Sequence, residues 1–170
     1  MTTTMTTKDE GEIMRLTLNK EIIDKESILD EVRRIDLKGD MLKEFLLETL
    51  PIVMEDTIDP DIDHARPEVY INNLFRNKLG DFDQRLIIKI GEGITKALLI
   101  GIRKQDYFHV LTVGVNKAYR KNNHGRNIIM YCCNEMFQET CSSIKLNVHS
   151  TNFPALQLYN KLGFVIESGK

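Results

Sequence analysis

The chain has 170 residues, 42% apolar and 28% charged, with a formal net charge of −2. That length allows one substantial core, and the composition is that of a globular protein without low complexity or compositional bias. No apolar run approaches the roughly 18 residues of a membrane span, and no basic helix or interleaving of basic and aromatic residues points to nucleic acid.

Residues 1–10 read as a disordered tail, and the opening Met1-Thr2-Thr3-Thr4 lacks a signal peptide's apolar core, so the chain is expected in the cytoplasm. Ile13 to Leu18 alternates apolar with polar residues and predicts a first strand. A helix is expected next, starting near Asp24 or Ser27, with Ile28, Leu29, Val32 and Ile35 as its core stripe and its end by Gly39. Asp40 can cap a second helix whose apolar face is Met41, Leu42, Phe45, Leu46 and Leu50. That stripe is wide enough to serve the core and also to line part of an acceptor site. Pro51 and Pro60 then bracket an acidic loop with Glu55, Asp56, Asp59, Asp61 and Asp63. Its Asp-x-Asp-x-Asp start is not a calcium loop, because His64 stands where the turn glycine belongs and Tyr70 where the bidentate glutamate belongs. A solvated loop or attraction of a cationic acceptor are the two readings left.

A short helix is expected from Glu68 to Leu79, stopped by Gly80. Arg85 to Ile90 and Ile94 to Arg103 read as a hairpin around Gly91-Glu92-Gly93, a turn signal with no helix behind it. A strand from about Tyr107 to Val115 leads through the basic turn Tyr119 to His124 into a helix running to about Glu139, with Ile128, Ile129, Cys132, Cys133, Met136 and Phe137 as its apolar positions. A strand that turns directly into a helix start leaves backbone N–H groups unpaired at the positive end of the helix dipole, a ready site for an anion such as phosphate. Any turn between strand and helix has some of this character. Ile144 to Val148 predicts the next strand, Pro154 to Leu162 a short helix closed by Gly163, and Phe164 to Ile166 a last strand.

The small net charge hides an asymmetry. Residues 1–83 carry 20 acidic and 11 basic side chains, whereas residues 84–170 carry 5 and 12. A basic half around an anion loop suits a polyanionic cofactor, and an acidic half suits a cationic acceptor, unless the halves simply attract one another in the fold. The three cysteines, Cys132, Cys133 and Cys141, are odd in number and lack metal-ligand spacing, so buried thiols in a reducing compartment are expected, with no bound metal.

Two blocks of residues resemble GCN5-related N-acetyltransferases. Arg120-Lys121-Asn122-Asn123-His124-Gly125 is similar to their Arg/Gln-x-x-Gly-x-Gly/Ala signature, with Asn123 in place of the first glycine. Asparagine tolerates the left-handed backbone that a glycine would supply there. The stretch Leu146-Asn147-Val148, followed by Asn152-Phe153-Pro154-Ala155 and Leu158-Tyr159-Asn160-Lys161-Leu162-Gly163-Phe164, resembles the family's second block. The likeness covers about residues 85–168. It implies a mixed α/β fold in one domain over residues 11–170, with a mostly antiparallel twisted sheet flanked by helices. Residues 11–83 would form the variable acceptor side and residues 84–170 the core that binds acetyl-CoA.

By that resemblance the backbone of Asn122 to Arg126, with Arg120 and Lys121, holds the cofactor's pyrophosphate. The strand edge of Leu111, Val113 and Val115 pairs with the pantetheine, and an N–H near Val113 polarises the thioester carbonyl. Tyr159 matches a general acid near the sulfur, unless it is simply a core tyrosine. Asn152 matches a residue that touches the cofactor, a role compatible with capping the following helix. The strand His109 to Val115 is also similar to that of protein N-terminal acetyltransferase catalytic subunits, some of which have a catalytic tyrosine and histidine where this sequence has His109 and Asn147. His109 is then a candidate base for the amine, with His149 as competitor, or it only packs. The implied activity is acetyl transfer from acetyl-CoA to a primary amine, whether a protein N-terminus, a lysine or a small amine. A CoA-binding module without catalysis and an interaction subunit are the alternatives. Family members usually add a strand after Gly163-Phe164 that this sequence lacks. A homodimer through the open sheet edge, or coverage by the N-terminal segment, is therefore expected.

Overall fold

The computed structural model describes residues 12–19, 31–57 and 66–167. Seven strands are built from the alternating segments: β1 (Ile13–Leu18), β2 (Val32–Arg34), β3 (Arg85–Ile90), β4 (Ala97–Lys104), β5 (Tyr107–Val115), β6 (Ser143–His149) and β7 (Val165–Ile166). Among the described residues four helices accompany them: α1 (Gly39–Val53), α2 (Pro67–Phe75), α3 (His124–Gln138) and α4 (Phe153–Leu162). The strands form one sheet in the order β2-β3-β4-β5-β6-β1-β7, antiparallel throughout except where β5 and β6 run parallel. This is the mixed, mostly antiparallel sheet flanked by helices that the sequence implies.

Alternation along each strand sends side chains to two separate cores. On one face Leu16, Ile88, Leu99, Phe108, Ile144 and Leu146 pack with Ile128, Ile129, Cys132, Cys133 and Met136 of α3 and with Tyr159 of α4. On the other, Ile87, Leu98, Ile100, Ile102 and Leu111 pack with Leu42, Leu46, Leu50 and Val53 of α1 and Ile71 and Leu74 of α2. All three cysteines are buried and unbridged, and burial pushes their thiols up, away from the reactive thiolate.

Several local expectations give way to long-range contacts. The helix expected to run through Val32 and Ile35 is absent there. Val32–Arg34 instead pairs with β3, and the Ile35 amide donates to the Ile87 carbonyl at 2.8 Å. The expected start of that helix, Asp24 to Leu29, lies outside the described residues. Pro51 sits inside α1 instead of opening a loop, because the helix continues to bury Val53 and Met54. Helix α2 stops at Phe75, not Leu79, where Asn77 turns left-handed (φ 61°) and its side chain accepts the Phe82 amide at 2.9 Å. Ile94 is exposed in the hairpin turn, so β4 starts only at Ala97. The acidic run from Asp59 to Asp63 lies outside the described residues.

The last strand, expected to leave an open edge after Gly163-Phe164, does not pair with β6 but with the N-terminal strand. Strand β1 lies between β6 and β7, pairing Arg15 with Asn147 and Leu16 with both Leu146 and Ile166. Two residues of β7 then form the outer edge, short enough to offer little template for further pairing.

The end of α1 crosses β5 at Gly114. A Cβ there would stand 2.5 Å from the Met54 sulfur and 2.6 Å from the Val53 carbonyl oxygen. The second contact is with backbone, which cannot swing aside. Gly114→Ala is therefore expected to cost about 2 kcal/mol or more, the scale of core overpacking, read as a lower urea midpoint at unchanged slope. A midpoint equal to that of the parent protein would show that α1 does not press on β5.

Candidate active site

Strands β5 and β6 pair only over Tyr107–Val110 and Ser143–Leu146. On its other side β5 matches Thr112 to Ile100 but Val110 to Gly101, leaving Leu111 as an extra residue in the ladder. Such a bulge bends its strand and increases its twist. It also puts neighbours on one face: Leu111 enters the core under α1, and the next residue, Thr112, meets the Tyr70 hydroxyl of α2 at 2.5 Å. Past Val110 and Leu146 the two strands part. A cavity of about 690 Å³ occupies the gap, lined by Leu111–Val115 of β5, Asn147 and Val148 of β6, and the first residues of α3 and α4.

At one end of this cavity the turn into α3 is held by its own side chains. The Arg120 guanidinium donates to the Val115 carbonyl at 2.9 Å and to the Glu55 carbonyl just past α1, so this arginine braces the turn. The Asn122 side chain donates to the Tyr119 carbonyl at 3.2 Å and does not line the cavity. Lys121 and Asn123 are both left-handed, at φ 68° and 65°. Asn123 thus adopts the conformation for which its position favours glycine. Asn123, His124, Gly125 and Arg126 all line the cavity, at a helix start whose first N–H groups have no carbonyl within the helix to reach. A Cβ on Gly125 would meet only Leu158 and Val115, each at an ordinary 3.6 Å. The protein itself does not demand glycine there, and the missing side chain leaves the first turn of α3 open to the cavity.

Tyr159 is buried at 8% exposure, tilted against the Phe164 ring at 5.6 Å, and also lines the cavity. It is a core residue and a cavity residue together. Asn152 likewise combines two positions: its side chain accepts the Ala155 amide at 3.4 Å as the α4 cap, and it faces the cavity.

Asn147 lines the cavity from β6, and its side-chain oxygen accepts from the Arg15 Nε at 3.2 Å. His109 is not among the lining residues. It is 6% exposed, with no hydrogen-bond partner for either ring nitrogen among the described residues. Burial above all, then the charges of Lys104, Arg15 and Lys145, lowers its pKa to about 4. His149, the competing base candidate, shares a 2.7 Å hydrogen bond with the Thr151 hydroxyl and does not line the cavity. His124 lines it, with its pKa lowered by burial first and then by Lys96.

The structure therefore brings Leu111, Val113, Val115, Arg120, Lys121, Asn123, His124, Gly125, Arg126, Asn147, Asn152 and Tyr159 to one cavity, and leaves Asn122 and His109 outside its lining. Sequence reasoning missed Met54 and Thr57, which reach the cavity from the end of α1 together with Asp56 of the acidic loop, and Arg15, which reaches Asn147 from β1. Arg15 stands on the polar side of a clean alternation, but nothing in the sequence places that strand beside β6. Among the described residues no cluster could hold a metal ion, and no helix is long and apolar enough to cross a membrane.

The family model described as acetyltransferase (GNAT) family matches residues 53–164. No curated protein matches the chain in sequence. Among solved structures, the ribosomal-protein-S18-alanine N-acetyltransferase of Escherichia coli superposes with a TM-score of 0.60 at 16% identity, over 81% of this chain and 79% of that one. A Bacillus subtilis acetyltransferase in complex with CoA gives 0.56 at 13%, over 81% and 78%. An aminoglycoside acetyltransferase from an uncultured soil metagenomic sample gives 0.59 at 20%, over 82% and 93%. At these identities the likeness is one of fold.

The buried His109 gives the protein an acid-sensitive stability. In the unfolded chain this imidazole takes its proton near pH 6.5, but in the folded protein only near 4. Between those values the unfolded state binds more protons, so stability falls as pH falls through that window. The contribution amounts to about 3 kcal/mol once pH is below both values. His109→Gln removes it. Urea titrations from pH 7 to 4 are expected to show the parent losing stability more steeply than the variant, and parallel curves would contradict the burial of a neutral imidazole.

Proposed function

Because the chain belongs to the acetyltransferase (GNAT) family, we propose that it is an N-acetyltransferase moving the acetyl group of acetyl-CoA directly onto a primary amine. The observation that carries this reading is the parting of β5 and β6 at Val110 and Leu146. It leaves a strand edge running from a helix N-terminus at Asn123–Arg126 to Tyr159 and Asn147. A long cofactor with an anionic middle and an amide-bearing arm fits such a slot, since helix-start amides favour phosphate and a bare strand edge favours amides. Acetyl-CoA supplies an acyl carbon already activated as a thioester.

The protein's own groups then have distinct tasks. The amides of Asn123 to Arg126 hold the pyrophosphate, and the opening at Gly125 allows close approach. The edge Leu111–Val115 aligns the pantetheine arm, and an N–H near Val113 stabilises negative charge developing on the acetyl oxygen. The Tyr159 hydroxyl is the proton donor to the leaving sulfur, and Asn152 steadies the cofactor beside it. Asn147, held by Arg15, marks the side from which the amine enters. His109 is poorly suited as the base, because a proton there would be buried among three cations. The amine's proton leaves by water instead.

Acetyl-CoA titrated calorimetrically, followed by thiol release over a panel of amines, tests the proposal. Tight binding with amine-dependent release is the expected result; binding without release from any amine would leave a cofactor-binding module. Gly125→Val should weaken acetyl-CoA at least about tenfold, or 1.4 kcal/mol, with an unchanged far-UV circular dichroism spectrum. Asn123→Gly should bind as well as the parent or better. Unchanged affinity in Gly125→Val would remove the phosphate assignment.

A further inference from the structure

The face of the sheet that carries α1 and α2 over β4 and β5 changes character beyond β5. On β6 and β1 the residues on that face are polar or charged, apart from the exposed Ile13 at the start of β1. Lys145 and Asn147 alternate with the buried Ile144, Leu146 and Val148, and Arg15 pairs with Asn147 in register. Lys145 lies two residues from Asn147, about 7 Å along the strand. It pairs with His109 across the parallel ladder, and its ammonium sits 4.7 Å over the Tyr107 ring. Lys104 pairs with Tyr107 on the next strand. Three cations thus surround one buried imidazole beside the cavity residue Asn147.

Two acids border this patch among the described residues: Glu167, whose carboxylate meets Lys145 at 3.4 Å, and Asp106, in the turn between Lys104 and Tyr107, which accepts from the Ser142 hydroxyl at 3.3 Å. Arg15 uses its Nε on Asn147. His109 has two ring nitrogens at 6% exposure and no partner for either. The three cations leave the patch with surplus positive charge next to the point where an amine must enter. Groups gathered in that way are costly unless an oxyanion meets them.

We propose that the acceptor is a small amine carrying its own carboxylate, with that carboxylate seated against Arg15 and Lys145 while the amino group points past Asn147 into the cavity. This inference rests on the acetyl-transfer reading above and narrows its substrate class. It also departs from the cationic acceptor suggested by the acidic surplus of residues 1–83. Among the described residues much of that surplus lies away from the patch: Asp40, Glu44 and Glu48 are exposed on α1 and Glu31 pairs with Lys96 at 3.0 Å, while Asp56, which lines the cavity, is paired with Lys117 at 2.7 Å. A carboxylate held by arginine and lysine together gains charge-assisted hydrogen bonds that its amide cannot make.

Thiol release is measured with glycine, L-alanine and L-glutamate against glycinamide, L-alaninamide and spermidine. The amides are the less basic amines and the more deprotonated at neutral pH, so chemistry alone favours them. A kcat/KM for the carboxylates at least about tenfold above their amides is expected, with that ratio collapsing in Arg15→Gln and in Lys145→Gln. Amides or spermidine used as well as the carboxylates would overturn the proposal, and so would a preference that survives both substitutions. A binding arm separates this inference from the transfer reading: N-acetylglycine against N-acetylglycinamide, titrated calorimetrically into the CoA-loaded protein. If no amine releases thiol but N-acetylglycine binds and its amide does not, the transfer reading fails and the carboxylate site stands. If neither binds, the carboxylate site is overturned.

Discussion

One extra residue in β5 sets the conditions for the rest of the site. Leu111 interrupts the match with β4 where pairing with β6 ends. Without it, Leu111 and Thr112 could not both turn towards α1 and α2, and β5 would have less reason to leave β6. Its neighbours lock the arrangement. Thr112 is bonded to Tyr70, Gly114 admits the end of α1, and Arg120 ties the last carbonyl of β5 to the chain just beyond α1. The cavity is thus a consequence of how one strand is bent and braced.

The two faces of the sheet serve the site differently. Helices α3 and α4 bury the face where Leu146 and Val148 point, and present their first turns to the cavity from that side. The opposite face is apolar only as far as α1 and α2 cover it. Past that cover the strands carry lysine, asparagine and arginine, which offer hydrogen bonds and charge where the other face offers packing. The N-terminal strand adds Arg15 to this second face while closing the sheet, so one short segment serves stability and the site together.

Much of the fold was legible because its strands alternate cleanly. In β6, Ile144-Lys145-Leu146-Asn147-Val148 names its buried face without help, and β5 begins and ends where its apolar run does. The turn into α3 was legible from residue types: a left-handed asparagine at 123 and a glycine at 125 need only local backbone arguments. What failed was settled by distant partners. Val32 reads as a helix position until β3 claims it, and Pro51 reads as a breaker until the contacts of Val53 and Met54 outweigh its lost hydrogen bond. Arg15 lies 132 residues from Asn147, a contact no local pattern can reveal. His109 looked like a base because histidine at a strand start is chemically apt, but its burial and three cationic neighbours depend on the assembled sheet.

The parted strands as a cofactor slot are tested most directly by hydrogen exchange with and without acetyl-CoA. Slowed exchange in the two segments Leu111–Val115 and Asn123–Arg126, with β3 and β2 unchanged, is the expected result. Acetyl-CoA that binds while leaving both segments as open as before would contradict it.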